Sequence, residues 1–120
     1  MSEPVLSVLY VNDEAMLLEI TRSALKPLGF YVETAESGSA ALDMLRNKRY
    51  EAIISDYQMP GMDGIALLKE IRCKDPYIPF ILFIGPGVEE VVIEAIECGA
   101  DIYLMKGGDI HLQINELPKK

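Results

Sequence analysis

Several short apolar runs in this 120-residue chain end abruptly, and the residues at their ends could do chemistry together. Residues 5–11 (Val-Leu-Ser-Val-Leu-Tyr-Val) stop at Asn12-Asp13-Glu14, and Ala52-Ile53-Ile54 leads into a single acid, Asp56. Residues 80–84 (Phe-Ile-Leu-Phe-Ile) close on Ile84, and residues 102–105 run into Lys106. In a parallel sheet all of these ends fall on one edge, the edge where open α/β folds place their sites. Three acids and a lysine gathered there are costly, because close carboxylates repel one another. A hard divalent cation with oxygen ligands resolves the conflict. Mg²⁺ keeps several waters and takes one or two carboxylates plus phosphate oxygens, and Lys106 then supplies a point charge for a phosphoryl group. Asp56 is the centre of this set. Pro60, Gly61 and Gly64 follow it and read as a loop that ends the strand and exposes its edge.

The elements that must position these residues are legible from periodicity. Near-continuous apolar runs at 5–11, 52–56, 80–84 and 102–105, with a shorter one at 30–34, predict strands covered on both faces. Between them lie amphipathic segments. Leu17, Leu18, Ile20, Ala24, Leu25 and Leu28 recur at helical spacing, and Gly29 ends that helix. Ser37 is a candidate cap before Ala41, Leu42, Met44 and Leu45, and Asn47-Lys48-Arg49 places positive charge at that helix's carboxyl end. Ile65, Leu67, Leu68 and Ile71 mark a third helix, residues 88–98 a fourth, and residues 109–117 a short fifth. Five strands alternating with five helices through short connections predict a doubly wound α/β domain spanning residues 1–120, its helices on both faces of a parallel sheet and its crossovers right-handed.

Composition narrows the class. Half the residues are hydrophobic and the net charge is −8, so nothing here would neutralise a row of nucleic-acid phosphates. Cys73 and Cys98 have no metal-ligand spacing and are expected to be reduced. No basic segment precedes a long apolar one at the amino terminus, and the apolar runs are far short of a membrane span. The expectation is a cytoplasmic protein that binds neither nucleic acid nor membrane.

The constellation resembles the receiver domain of two-component response regulators over nearly the whole chain. Asn12-Asp13 sits at that family's acidic pair, Asp56 at its phosphoacceptor and Lys106 at its lysine. Met59-Pro60-Gly61-Met62-Asp63-Gly64 matches the loop after the acceptor, and Gly99-Ala100-Asp101 with Tyr103 matches the approach to the last strand. The resemblance implies a flavodoxin-like five-stranded parallel sheet of order 2-1-3-4-5. It also implies that Asp13, Asp56 and the backbone carbonyl of Gln58 hold Mg²⁺, with Asn12 contacting it through water. Asp56 would accept a phosphoryl group from the phosphohistidine of a histidine kinase or phosphotransfer protein, with Lys106 contacting the phosphoryl oxygens. The activity is that of a phosphoacceptor and extends at most to self-phosphorylation and self-dephosphorylation.

Two departures from the family pattern bear on function. Ile84 stands where the family usually has Thr or Ser, whose hydroxyl bonds a phosphoryl oxygen while an aromatic residue, here Tyr103, swings with it. Forgoing such a bond to a charged group costs roughly 1.5–3 kcal/mol, enough to weaken a population shift that needs several kcal/mol. Asn12 replaces one acid of the pair and lowers the expected Mg²⁺ affinity. A degenerate receiver acting as a constitutive protein-interaction domain is therefore the alternative. A phosphohydrolase with an aspartyl nucleophile would want a second acid where Gln58 stands, and a flavin-binding protein would want a Ser/Thr/Gly-rich loop where Asn12-Asp13-Glu14 stands.

The remaining residues have plainer readings to set against these. Asp13 and Glu14 could cap the first helix, Tyr103 could pack with its hydroxyl at the surface, and His111 is read as a surface residue away from the strand ends. Met59 and Met62 are read as loop anchors. Val91-Val92-Ile93 spans more than half a helical turn, so at least one of the three should face outward; the family uses the 88–117 face for an output partner or a homodimer. The output itself is not readable, and the chain is either a single-domain regulator or a piece of a larger sensory protein.

Overall fold

The computed structural model describes residues 6–85 and 90–105. Five strands, β1 (Leu6–Val11), β2 (Phe30–Ala35), β3 (Ala52–Asp56), β4 (Phe80–Ile84) and β5 (Ile102–Met105), form one sheet of order β2-β1-β3-β4-β5, all pairs parallel. Helices α1 (Ala15–Leu25), α2 (Gly38–Asn47), α3 (Gly64–Lys74) and α4 (Val91–Glu97) connect them. This is the expected architecture. The fifth helix expected at 109–117, together with Lys106 and His111, lies outside the described residues.

Alternation along the strands divides the core into two layers. Val8, Tyr10, Ile54, Ile81 and Phe83 face one side and are covered by Leu18 and Leu25 of α1. Leu9, Val11, Ile53, Leu82 and Ile84 face the other, where α2, α3 and α4 contribute Ala41, Leu67, Leu68 and Ala95. All five residues of β4 are buried, which is why Phe-Ile-Leu-Phe-Ile carries no polar alternation.

Helix ends follow local chemistry. The Ser37 hydroxyl accepts the Ala40 amide at 3.0 Å, and the Asp63 carboxylate accepts the Ala66 amide at 2.8 Å, so both act as N-caps. The first helix stops at Leu25, earlier than its apolar spacing predicts. Pro27 cannot continue the α-helical ladder, and residues Lys26–Leu28 form a single 3₁₀ turn ended by Gly29 at φ 90°. Helix α4 begins at Val91, and the predicted first turn at 88–89 lies outside the described residues. Of Val91-Val92-Ile93, the two valines pack against the core and Ile93 faces outward. Cys73 and Cys98 are both free thiols.

The start of β4 and the approach to β5 are tied by one side chain. Arg72 donates to Gly99 O through Nε and Nη2 at 3.1 and 2.7 Å, to Asp75 O, and to Asp101 Oδ2. Asp101 Oδ2 in turn accepts the Phe80 amide at 2.9 Å. Gly99, at φ 107°, presents its carbonyl to this guanidinium.

Candidate functional site

Pairing of β1 with β3 runs Tyr10 to Ile54 and Val11 to Ser55. One step further along each strand come Asn12 and Asp56, side by side at the carboxyl edge. Asp56 also pairs with Phe83 of β4, so Ile84 lies one residue beyond it. The parallel register thus brings Asn12, Asp56 and Ile84 to one edge, with Asp13 immediately after Asn12.

Asp56 is 1 % exposed. Its backbone is fixed from two directions. The Ser55 hydroxyl donates to Asp56 O at 2.9 Å, and a Cβ on Gly64 would stand 2.6 Å from that same carbonyl oxygen. Glycine at 64 therefore lets the amino end of α3 close onto the end of β3. The turn is completed by the Gly64 amide donating to Tyr57 O at 2.9 Å and by Gly61 at φ 78°. Met59 is buried in the core and Met62 packs against it, so both methionines are loop anchors, as expected. Gln58 lies exposed in this loop.

Asn12 is fully buried. Its amide nitrogen donates to the Tyr10 hydroxyl at 3.1 Å, and its side-chain oxygen accepts the Glu14 amide at 2.9 Å. The oxygen keeps a second lone pair, yet its orientation is set by the backbone it caps. Glu14 stands at the N-cap position of α1 without a side-chain capping bond. Asp13 is exposed and makes no hydrogen bond or ion pair among the described residues. Neither acid caps α1; the Asn12 side chain instead closes a turn onto the N-cap residue, and the Asp13 carboxylate stays exposed.

The oxygen donors gathered at this edge, the carboxylates of Asp13 and Asp56 with the loop that carries Gln58, are of the type that Mg²⁺ takes, since it binds through few protein oxygens. Among the described residues no group of three His, Cys, Asp or Glu converges as a dedicated metal cage. Ile84 is fully buried in the α2–α3–α4 layer and offers no donor. Tyr103 pairs with Leu82 across the sheet, and its side chain is 42 % exposed, which is the surface-packed reading.

Tyr57, directly after Asp56, carries no reading from the sequence. It is half-buried beside the turn after Asp56, and burial first, then the charges of Asp63, Glu94 and Glu90, push its phenol pKa upward. Its phenol therefore stays neutral in an acidic surround. The only sequence signal was an aromatic residue directly after Asp56.

A parallel sheet of order β2-β1-β3-β4-β5, with a buried acid at the end of its central strand beside Asn12 and Asp13, defines a doubly wound α/β domain whose polar residues gather at the carboxyl edge. The chain belongs to the response regulator receiver domain family, whose model matches residues 8–116. It is 37 % identical over 100 residues to the DNA-binding transcriptional regulator NtrC of Klebsiella pneumoniae, covering 83 % of this chain and 21 % of that protein. It is 33 % identical over 104 residues to the chemotaxis protein CheY-3 of Vibrio cholerae, covering 84 % and 80 %. Among solved structures, it matches chemotaxis response regulator CheY4 of Vibrio cholerae with a TM-score of 0.86 at 27 % identity, covering 93 % and 95 %. A receiver domain protein from Clostridium thermocellum matches with a TM-score of 0.85 at 29 % identity, covering 92 % and 90 %. The chain spans about a fifth of the length of the transcriptional regulators it resembles and most of the chemotaxis protein. Among the described residues no helix is long and apolar enough to cross a membrane.

Proposed function

We propose that Asp56 accepts a phosphoryl group from the phosphohistidine of a histidine kinase or phosphotransfer protein. The observation that carries this reading is a nearly inaccessible carboxylate (1 % exposed) held at the end of the central strand by Ser55 and Gly64, next to Asn12 and the unengaged Asp13. In this reading Asp13, Asp56 and the Gln58 carbonyl hold Mg²⁺, Asn12 reaches it through water, and the ion offsets charge on the phosphoryl oxygens. An Asp56 carboxylate oxygen bonds to phosphorus as the P–N bond of the phosphohistidine breaks, and the imidazole leaves with the electron pair. Lys106 meets the phosphoryl charge. Water attack on the acyl phosphate returns the carboxylate and releases phosphate.

Ile84 favours a second reading for the output. With no hydroxyl at that position, occupancy of Asp56 is coupled only weakly to the exposed face of α4 and β5, where Ile93, Ile96 and Tyr103 lie. At the limit, the domain is a constitutive interaction module acting through the 88–117 face on an output partner or a second copy. In both readings residues 1–120 act as one cytoplasmic receiver domain, and the acidic balance keeps it from nucleic acid.

The test is incubation with acetyl phosphate and Mg²⁺ followed by intact mass. The expected result is one added phosphate that is lost in Asp56→Asn. No adduct at saturating donor and Mg²⁺ overturns the acceptor reading and leaves the constitutive one.

A further inference from the structure

At the opposite end of β3 from Asp56, the carboxyl ends of α2 and α3 diverge and leave a cleft of about 370 Å³. Its floor is apolar, formed by the half-buried Leu45 and Ile78 over the buried Ile53, Ile71 and Tyr50. Its rim is basic. Of the eight lysines and arginines among the described residues, four line it: Arg46, Lys48, Arg49 and Lys74. A chain of net charge −8 has thus put half of its described cations around one apolar hollow.

The cations are not all accounted for by the fold. Arg46 pairs with Asp43 and Lys48 with Glu33. Arg49 and Lys74 are exposed and make no hydrogen bond or ion pair among the described residues. Positive charge at helix carboxyl ends complements the macrodipole, but neither Arg49 nor Lys74 donates to a carbonyl there, and other groups serve carbonyls near both ends. The Asn47 side chain serves Asp43 O at 3.2 Å, and the Asp75 amide serves Ile71 O at 2.8 Å. Asp75, the one acid of the lining, accepts the Tyr77 and Ile78 amides through Oδ1 at 2.9 and 3.1 Å. Its charge is thereby partly engaged with backbone.

We propose that this cleft binds a small amphipathic anion, a flat apolar body seated against Leu45, Ile78 and the edge of Tyr50 with its charged group between Arg49 and Lys74. The volume suits one ring system. The floor rewards an apolar body and the rim an anionic head, and the cleft lies apart from the acceptor edge, so occupancy does not require phosphorylation.

The probe is 1-naphthalenesulfonate, titrated into the full chain while backbone amide shifts are followed. Saturable shifts confined to residues 45–53 and 71–78 are expected. Naphthalene-1-methanol, which has the ring without the charge, and sulfate, which has the charge without the ring, should each bind at least about tenfold more weakly. Arg49→Gln with Lys74→Gln should cost a similar factor with an unchanged thermal midpoint, and Arg49→Lys should retain most of the binding. Shifts centred elsewhere, equal binding of the uncharged analogue, or full affinity in the double variant would overturn the proposal.

Discussion

The carbonyl oxygen of Asp56 and the α-carbon of Gly64 are so close that a methyl group on residue 64 would stand 2.6 Å from that oxygen and 2.7 Å from Leu82 Cδ1. The end of β3 and the start of α3 are therefore a single rigid unit, and the position of Asp56 depends on a residue eight places later in the chain.

Gly64→Ala tests this coupling. Backbone on one side and a core leucine on the other leave no inexpensive relief, so a loss of about 1–3 kcal/mol is expected from chemical denaturation. Initial phosphorylation by acetyl phosphate should also slow, because Asp56 is displaced. Gly61→Ala is the comparison. A Cβ there meets nothing within 4 Å, and only the left-handed backbone, at φ 78°, resists it, for about 1–2 kcal/mol. Phosphorylation of folded Gly61→Ala should be near normal. Equal phosphorylation rates in the two variants would contradict the claim that α3 positions the acceptor.

A second relationship sits far from the site and is read by pH. Glu33 of β2 accepts from Lys48 at 2.6 Å, from Tyr31 at 3.1 Å and from the Tyr50 hydroxyl. Its carboxyl is lowered from the usual 4.5, first by the Lys48 hydrogen bond and then by that of Tyr50. A lowered carboxyl contributes stability above its unfolded value and loses it as pH falls through the folded value. Lys48 is raised by the Glu33 hydrogen bond, and Tyr50 is raised by burial and then by Glu33. Those two contributions are full below their unfolded values, 10.5 and 10.0, and fade as pH rises beyond them. Urea midpoints of the parent and Glu33→Gln should therefore differ most between these limits and converge as the solution becomes acidic. A constant difference down to strongly acidic pH would show that the carboxylate's charge is not what stabilises the cluster.

That cluster also shows where sequence reading stops. The strands were legible because β4 is apolar throughout and β1 and β3 are nearly so, and Ser37 announced its helix by type and position, whereas the cap supplied by Asp63 was hidden in the loop motif. Asp13, Asp56 and Ile84 were legible as a group because parallel strands share one edge. Glu33, Lys48 and Tyr50 carry no local pattern; they meet only because β2 pairs with β1 and β1 with β3. Asn12 was legible as a polar strand end, but its side chain's engagement with Tyr10 and the Glu14 amide depends on the turn's geometry. The early stop of α1 needed Pro27 to be weighed above a continuing apolar spacing.

Ile84→Thr should restore a donor at the acceptor edge. Trading a fully buried isoleucine for a shorter side chain with a hydroxyl is expected to cost about 1–3 kcal/mol in the unphosphorylated protein. In return, acetyl phosphate with Mg²⁺ should perturb amides of α4 and β5 more widely in the variant than in the parent. If both proteins form the adduct and respond equally, Ile84 is not what limits switching.

Asn12→Asp and Asp13→Asn probe the metal reading from opposite directions. Aspartate at 12 can still accept the Glu14 amide, and the Tyr10 hydroxyl can turn from acceptor to donor, so both local hydrogen bonds survive, the one with Tyr10 reversed. Its charge, however, would be buried beside Asp56. Without a cation the variant should unfold more readily than the parent, since like charges at this edge repel. With Mg²⁺ it should bind more tightly, by about tenfold or more, because an added unit charge near the ion is worth about 1–4 kcal/mol at effective dielectric constants of 80 to 20. Asp13→Asn should weaken Mg²⁺ binding to a comparable degree and leave the fold unharmed, as that side chain makes no bond among the described residues. Thermal midpoints measured across a Mg²⁺ titration separate these effects. The crossing expected for Asn12→Asp, below the parent without the ion and above it at saturation, arises only if the cation sits among Asn12, Asp13 and Asp56. Parallel curves for all three proteins would place Mg²⁺ elsewhere.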